Sequence, residues 1–372
     1  MNNFLLSEKD LIKLSVMIVF ASAFFGLFGL VVMLILQWLT RRTYAQDAVE
    51  KHGIADANAS RLGGLAVVII TCIILLLAAV SGMMQSDEGF LGVYAFGWFG
   101  GLACACLGLV EDFRNNVLSP RYRLLLKAII FTLVLWLWPG LVPTQIGIPI
   151  IDIALSVPAI AWILTILFCV GFLNAANMAD GANGLMPGVF FIAFTIFYLE
   201  TGALVYSALM TSSGLFLIFN LISGRLFLGD AGSYGLGAAV VLAGLFLYSE
   251  GTFSAAFLAT LLMYPCIELL VSMGRRLLIG RSMFLPDNDH LHNRIYFYLQ
   301  GFLNSKTLAN SLTGLLVASA SSGVALTGYI AGWWPVTGDG WIFVFLGQLA
   351  VYIAVFIISG LNRKVSQHVA SK

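Results

Sequence analysis

Charge is what this sequence has least of. Of 372 residues, 19 are Lys or Arg and 18 are Asp or Glu, together 10%, where a soluble domain carries about 25%. Apolar residues make up 60%, and mean hydropathy is +0.96. A soluble fold of this length cannot hide so much apolar surface, which excludes a soluble enzyme, a disordered chain and a fibrous protein. Net charge is only +1, without a basic tail, which argues against nucleic acid as a partner.

Cysteine is also scarce. Cys72, Cys104, Cys106, Cys169 and Cys266 all lie in apolar stretches, as packing residues do. Cys104 and Cys106, two apart, face different sides of a helix, so neither a disulfide framework nor a zinc site is expected. Linkers rich in Pro or Ser are missing, and no internal repeat is visible, so residues 1–372 read as a single membrane domain. Inverted halves, the usual mark of a secondary transporter, are missing too.

Long apolar runs are abundant. A bilayer core takes about 20 apolar residues per helix. Eleven runs qualify: 14–39, 63–84, 91–110, 124–139, 153–173, 184–200, 203–223, 232–249, 253–273, 308–332 and 341–360. The short joins between the sixth and ninth leave ten as the alternative count. The first run is too long for the apolar core of a signal peptide. The expected fold is all-α and polytopic, with about 11 transmembrane helices. Placing the N-terminus outside puts 17 of the 19 basic residues on the inner side, leaving Lys9 and Lys13 outside. By the positive-inside rule, the C-terminus is then cytoplasmic.

That orientation gathers the versatile polar residues on the cytoplasmic face, in loops 40–62, 111–123, 174–184, 224–232 and 274–307. Arg61-Leu-Gly-Gly64 closes the first. Glu111-Asp112 ends an apolar run near bilayer depth, where a carboxylate pair needs neutralising and suits base or metal-proximal chemistry. Asn174, Asn177 and Asp180 recur every third residue, on one helix face, and such oxygen donors suit a hard cation such as Mg²⁺. Asp180-Gly-Ala-Asn183-Gly breaks that helix. Asp230 starts another span, as a cap or a second metal ligand. His290 and His292 suit a loop laid on a phosphate or sugar, with Arg275, Arg276, Arg281 and Arg294 around it as a trap for a polyanion. Glu268 reads as the snorkelling partner of Arg275. Each feature also has an ordinary reading as a cap, a turn or a lipid anchor; it is their convergence on one face that suggests a site.

In order along the chain, Arg61-Leu-Gly-Gly64, Gly108-Leu-Val-Glu-Asp112, Asn174-Ala-Ala-Asn-Met-Ala-Asp-Gly-Ala-Asn-Gly-Leu185, Gly229-Asp-Ala-Gly-Ser233 and Pro286-Asp-Asn-Asp-His-Leu-His292 resemble the polyprenyl-phosphate N-acetylhexosamine-1-phosphate transferase superfamily, glycosyltransferase family 4. The resemblance implies transfer of a sugar-1-phosphate from a UDP-sugar to undecaprenyl phosphate, with release of UMP, in a bacterial inner membrane, and a homodimer by analogy. It implies Mg²⁺, with Mn²⁺ as the alternative, on Asn177 and Asp230. Catalytic roles fall to Glu111 and Asp112, and substrate contacts to Arg61, Arg123, Asn174, Asp180, Asn183, His290, His292 and Arg294. Three departures stand out: Glu111 where the pattern has Asp, Asn183 where it commonly has Asp, and Asn293 where it often has His. The last two argue for an O-antigen or polysaccharide-initiating branch over the phospho-MurNAc-pentapeptide translocase branch. A non-catalytic membrane transporter is the rival from another class.

Overall fold

The computed structural model describes residues 26–40, 46–47, 59–83, 92, 94–114, 117–280 and 289–370. The N-terminal part of the first apolar run, the segment containing His52 and Asp56, and the Pro286–Asp287 positions lie outside them. Helices, in chain order, are α1 (Gly26–Leu39), α2 (Gly63–Val80), α3 (Ala95–Phe113), α4 (Pro120–Leu137), α5 (Pro149–Leu155), α6 (Pro158–Ala179), α7 (Leu185–Thr201), α8 (Leu204–Ser223), α9 (Gly229–Ser249), α10 (Ala255–Leu261), α11 (Met263–Leu278), α12 (Leu291–Gln300), α13 (Lys306–Ala318), α14 (Val324–Ile330) and α15 (Trp341–Ala370). Strands are confined to β1 (Gln46–Asp47) antiparallel to β2 (Ala59–Ser60) among the described residues. The chain is an all-α, multi-pass membrane protein: among the described residues, seven helices are long and apolar enough to cross a bilayer, or eight if the bent α10–α11 pair counts as one.

Local chemistry sets the helix ends. Pro120, Pro149 and Pro158 open α4, α5 and α6, where the missing N–H costs nothing. Gly202 and Gly224 follow α7 and α8 with positive φ, as helix stops do. The ninth apolar run, expected as one span, holds two helices meeting at 78°. Pro265 has no N–H to give the carbonyl of Leu261, and the hydroxyl of Ser322 donates to that carbonyl instead, at 2.7 Å.

The axis of the bundle is α9, buried along most of its length. It has almost no bulky polar residue and is rich in glycine, so neighbours approach its backbone. Along its length α3 lies against it: a Cβ on Gly108 would fall 2.2 Å from the Asp230 carbonyl oxygen, and one on Gly235 would fall 2.8 Å from the Ala105 Cβ. Outward faces carry Leu125, Ile129, Leu133 and Trp136 on α4 and Ile163 and Leu167 on α6, all well exposed. In water such a surface would drive aggregation; in a bilayer it is the lipid-facing side.

Candidate active site

Four helix ends meet at one end of the bundle. The stretch before α2 is tied to the stretch before α9: Ser60 N donates to Arg225 O at 3.0 Å, Phe227 N to Ser60 O at 2.7 Å, Gly63 N to Phe227 O at 2.9 Å and Gly64 N to Leu228 O at 2.7 Å. This ladder sets Arg61 beside the start of α9. Gly229 has φ +71°, and a Cβ there would sit 2.1 Å from the Arg61 carbonyl oxygen and under 3 Å from both Asp112 oxygens. Only glycine tolerates both the conformation and the contact.

At the end of α3, Asp112 is fully buried. Its Oδ1 accepts the backbone N–H of Asp230 at 2.9 Å, and its Oδ2 that of Ala231 at 2.8 Å. The first N–H groups of a helix have no partner of their own, so Asp112 caps α9 from another helix. Arg61 Nε lies 3.3 Å from Asp112 Oδ1, and an Arg61 terminal nitrogen 3.4 Å from Asp230 Oδ1. One guanidinium therefore balances two buried carboxylates.

Asn177, on α6, donates its amide to Asp230 Oδ1 at 2.5 Å and to Ser233 Oγ at 3.0 Å. Asn174 is one turn earlier on the same face, its Oδ1 accepting Lys127 Nζ at 2.8 Å. The helix ends at Ala179, so Asp180 caps its C-terminus rather than continuing the face. Lys127 is buried and lies 3.5 Å from the centroid of the Tyr234 ring, a cation–π arrangement. Glu111 Oε1 accepts Leu118 N at 2.8 Å, and Arg123 stands 3.7 Å from Oε2.

Sequence reasoning missed Lys127, taking it as one more cation at a span end. A signal was present: Arg123 and Lys127 are four apart and share a helix face, here turned toward Glu111 and Asn174. Tyr234 and Ser233, one turn into α9, carried no sign of their own.

The histidines also come together. His290 is the residue before α12 and His292 lies in its first turn; their rings stack 5.4 Å apart at 13°. A Cβ on Gly181 would fall 2.3 Å from His292 Nε2, so the pair adjoins the loop that follows Asn177 and Asp180.

Three expectations need correction. Glu268 does not pair with Arg275; it bonds His290, Leu291 and Tyr352, while Arg275 pairs with Asp289 at 3.0 Å. Arg294, expected at the substrate, grips Asp289 through Nε at 2.8 Å and a terminal nitrogen at 2.7 Å, gives its other terminal nitrogen to Phe356 O at 2.7 Å, and stacks on the Phe356 ring. All three guanidinium nitrogens thus serve the fold, and two cations of the expected polyanion trap share one carboxylate. Arg281 lies outside the described residues. Asn183 is buried against α13: its backbone N–H donates to Asn310 Oδ1 at 3.0 Å and its side-chain amide to Ser311 Oγ at 3.3 Å. That places its backbone N–H and side-chain amide in the packing of the bundle against α13.

No group of three or more His, Cys, Asp or Glu side chains able to hold a metal occurs among the described residues. A magnesium ion does not need one, because it keeps waters and phosphate oxygens as most of its ligands. The Asp230 carboxylate and the Asn177 amide adjoin, and a half-turn of that amide puts its oxygen beside Asp230. The pair fits an ion shared with a diphosphate and does not form an all-protein cage.

Residues 94–249, which span α3 to α9 and hold Glu111, Asp112, Asn177 and Asp230, match the model of "Glycosyl transferase family 4". Over that stretch the chain is similar to glycosyl transferase family 4. The matched region holds α3, α6 and α9, whose ends build the cluster, while Arg61 and α2 lie before it. The chain is 27% identical over 263 residues to a probable undecaprenyl-phosphate N-acetylglucosaminyl 1-phosphate transferase of Bacillus subtilis, covering 68% of this chain and 69% of the relative. It is 32% identical over 186 residues to a phospho-N-acetylmuramoyl-pentapeptide-transferase of Synechococcus, covering 46% and 53%. It is 29% identical over 187 residues to an undecaprenyl-phosphate alpha-N-acetylglucosaminyl 1-phosphate transferase of Thermotoga maritima, covering 50% and 56%. The latter two matches span little more than half the length of those relatives.

Proposed function

We propose that this protein transfers a sugar-1-phosphate, of the N-acetylhexosamine type, from a UDP-sugar to undecaprenyl phosphate. The observation that carries the reading is the junction of Asn177, Asp230, Arg61 and Lys127 at one end of a lipid-facing bundle. There cationic and oxygen-donor side chains stand beside the bilayer that would hold the acceptor's tail.

Phosphoryl transfer asks mainly for alignment and charge neutralisation, and the side chains divide that work. Lys127 and Arg123 bind phosphate oxygens. Arg61 keeps the two buried aspartates balanced, and Asp112 fixes the start of α9 and with it Asp230. Glu111 is the less committed member of the carboxylate pair, since Oε2 faces Arg123 only at 3.7 Å. It takes the proton of the acceptor phosphate and orients it. An acceptor oxygen then forms a bond to the phosphorus that bears the sugar, and the bond from that phosphorus to UMP breaks. Asn177 and Asp230 would hold Mg²⁺, or Mn²⁺, which when bound neutralises diphosphate charge.

Each of the eleven apolar runs overlaps a helix, seven or eight of them long and apolar enough to span among the described residues, and the positive-inside bias supports the reading of eleven spans with the site facing the cytoplasm of a bacterial inner membrane. Asn183 and Asn293 favour a branch that initiates O-antigen or other surface polysaccharide. The pentapeptide-transferase names among the relatives favour the second reading, a UDP-MurNAc-pentapeptide donor.

The test is UMP release by purified protein in nanodiscs holding undecaprenyl phosphate, with a panel of UDP-sugars and mass spectrometry of the lipid product. Metal-dependent release that is lost in Asp230→Ala is expected. Release that survives metal chelation or Asp230→Ala would remove the metal assignment, and no release from any donor would leave the transporter reading in its place.

A further inference from the structure

Glu268 is a buried carboxylate in α11 that the transfer chemistry above does not use. It is fully enclosed, and among the described residues its ion-pair partner is His290. Four donors converge on it. Oε1 takes His290 Nδ1 at 3.0 Å and Ser272 Oγ at 3.3 Å; Oε2 takes the backbone N–H of Leu291 at 3.1 Å and Tyr352 Oη at 2.9 Å. A buried carboxylate is costly without such partners, so an arrangement this complete is a built one. It joins three helices, because Tyr352 comes from α15 and Leu291 opens α12.

The consequence falls on the histidine. An imidazole has two distinct nitrogens, and the bond made by one decides what the other presents. Ser272 Oγ also stands 3.2 Å from Nδ1, but with its proton given to Glu268 Oε1 both neighbours of Nδ1 accept, so Nδ1 carries the proton and Nε2 is left as the acceptor. His292 is held in parallel: its Nδ1 lies 2.9 Å from Tyr264 Oη, and that hydroxyl also accepts the His292 backbone N–H at 3.2 Å. The two rings stack nearly parallel, at 13°, and His292 Nε2 adjoins Gly181.

We propose that Glu268 is a positioning residue for His290: it fixes the flip and the Nδ1–H tautomer of the ring, so that Nε2 is the atom offered to the sugar-phosphate donor. What Nε2 meets rests on the transferase reading; the state of the ring does not. The charged and titratable groups around His290 are Glu268 and Arg275 on α11, His292 and Arg294 on α12, Tyr352 on α15, and Asp289. Of these, both arginines are already joined to Asp289, which leaves Glu268 as the carboxylate that acts on the ring.

The experiment uses the full chain in nanodiscs with ¹⁵N-labelled histidine. The chain has four histidines, so the loss of one set of signals in His290→Asn assigns the residue. In the wild-type protein the neutral His290 ring is expected as the Nδ1–H tautomer. Glu268→Met fills the space without an acceptor and releases the ring to the Nε2–H form, raising the donor KM about tenfold or more with a smaller change in kcat. Glu268→Gln keeps an acceptor oxygen and is expected to restore much of both. An Nε2–H tautomer in the wild-type protein overturns the proposal with no variant needed. So does an unchanged tautomer and KM in a folded Glu268→Met protein. Absence of UMP release from every donor strikes the transferase reading instead, and the tautomer then decides this proposal alone.

Discussion

The carboxylate of Asp112 closes over the first backbone N–H groups of the helix that carries Asp230, at 2.9 and 2.8 Å. Two acidic residues 118 positions apart in the chain are thereby held at one point, one as a cap and the other as the open carboxylate. Arg61 stands between them. The pair Glu111-Asp112, alike on paper, is divided in space.

A first prediction concerns that division. Asp112→Asn keeps the shape but gives up the charge and one acceptor. It is expected to cost about 1.5–3 kcal/mol of stability, the worth of a charge-assisted hydrogen bond. Asp112→Ala also leaves Arg61 without its nearer partner, and about 3–5 kcal/mol is expected. Thermal unfolding in detergent checks both. Glu111→Gln should leave the unfolding midpoint nearly unchanged while UMP release falls, and the reverse pattern would exchange the two roles.

Lys127 is expected to be as important to turnover as any residue of the cluster. Lys127→Met removes a buried ammonium held between Asn174 and Tyr234 and should lower kcat/KM for UMP release by about 100-fold or more, in the range seen when one electrostatic group is lost from a preorganised site. Lys127→Arg should not rescue it, because the larger planar guanidinium does not fit over Tyr234 and against Asn174. A Lys127→Met enzyme with near wild-type turnover would place the phosphates elsewhere.

Arg294 behaves differently on this structure. Its nitrogens are spent on Asp289 and Phe356 O. Arg294→Ala is expected to lower the unfolding midpoint, at a cost of about 1.5–3 kcal/mol for the lost charge-assisted hydrogen bonds, since Arg275 still pairs with Asp289, while changing the donor KM of the remaining folded enzyme by less than about threefold. A large KM change at constant stability would return Arg294 to the substrate.

Stereochemistry tests the single displacement. Asp112 has both oxygens committed to the fold, and Glu111 is assigned to the acceptor, which leaves direct attack by the lipid phosphate. A donor made chiral at the phosphorus bearing the sugar should give product with inverted configuration. Retention would mean two displacements through a carboxylate–phosphate intermediate.

Much of this was legible in the chain itself. Eleven apolar runs and scarce charge define a polytopic helical protein, because a bilayer demands about 20 apolar residues per crossing and punishes anything else. The asymmetry of Lys and Arg predicts the Asn174–Asp180, Asp230 and His290 segments on one face, and the contacts of Asn177 with Asp230 and of His292 with Gly181 bring those segments together. The three-residue spacing of Asn174 and Asn177 puts them on one face of a helix before any coordinates are known.

What only the tertiary structure decided is how each polar group is used. The sequence cannot say whether a buried carboxylate faces a substrate or a helix end, since that depends on which helix packs against which. Asp112 turned out to be a cap, Glu268 a partner of His290 rather than Arg275, Arg294 a brace and Asn183 a packing residue. Lys127, unremarked in one dimension, became central in three. The physical reason is common to all of them: inside a bilayer-spanning bundle every buried charge must find a partner, and the partner comes from a helix far away in the chain.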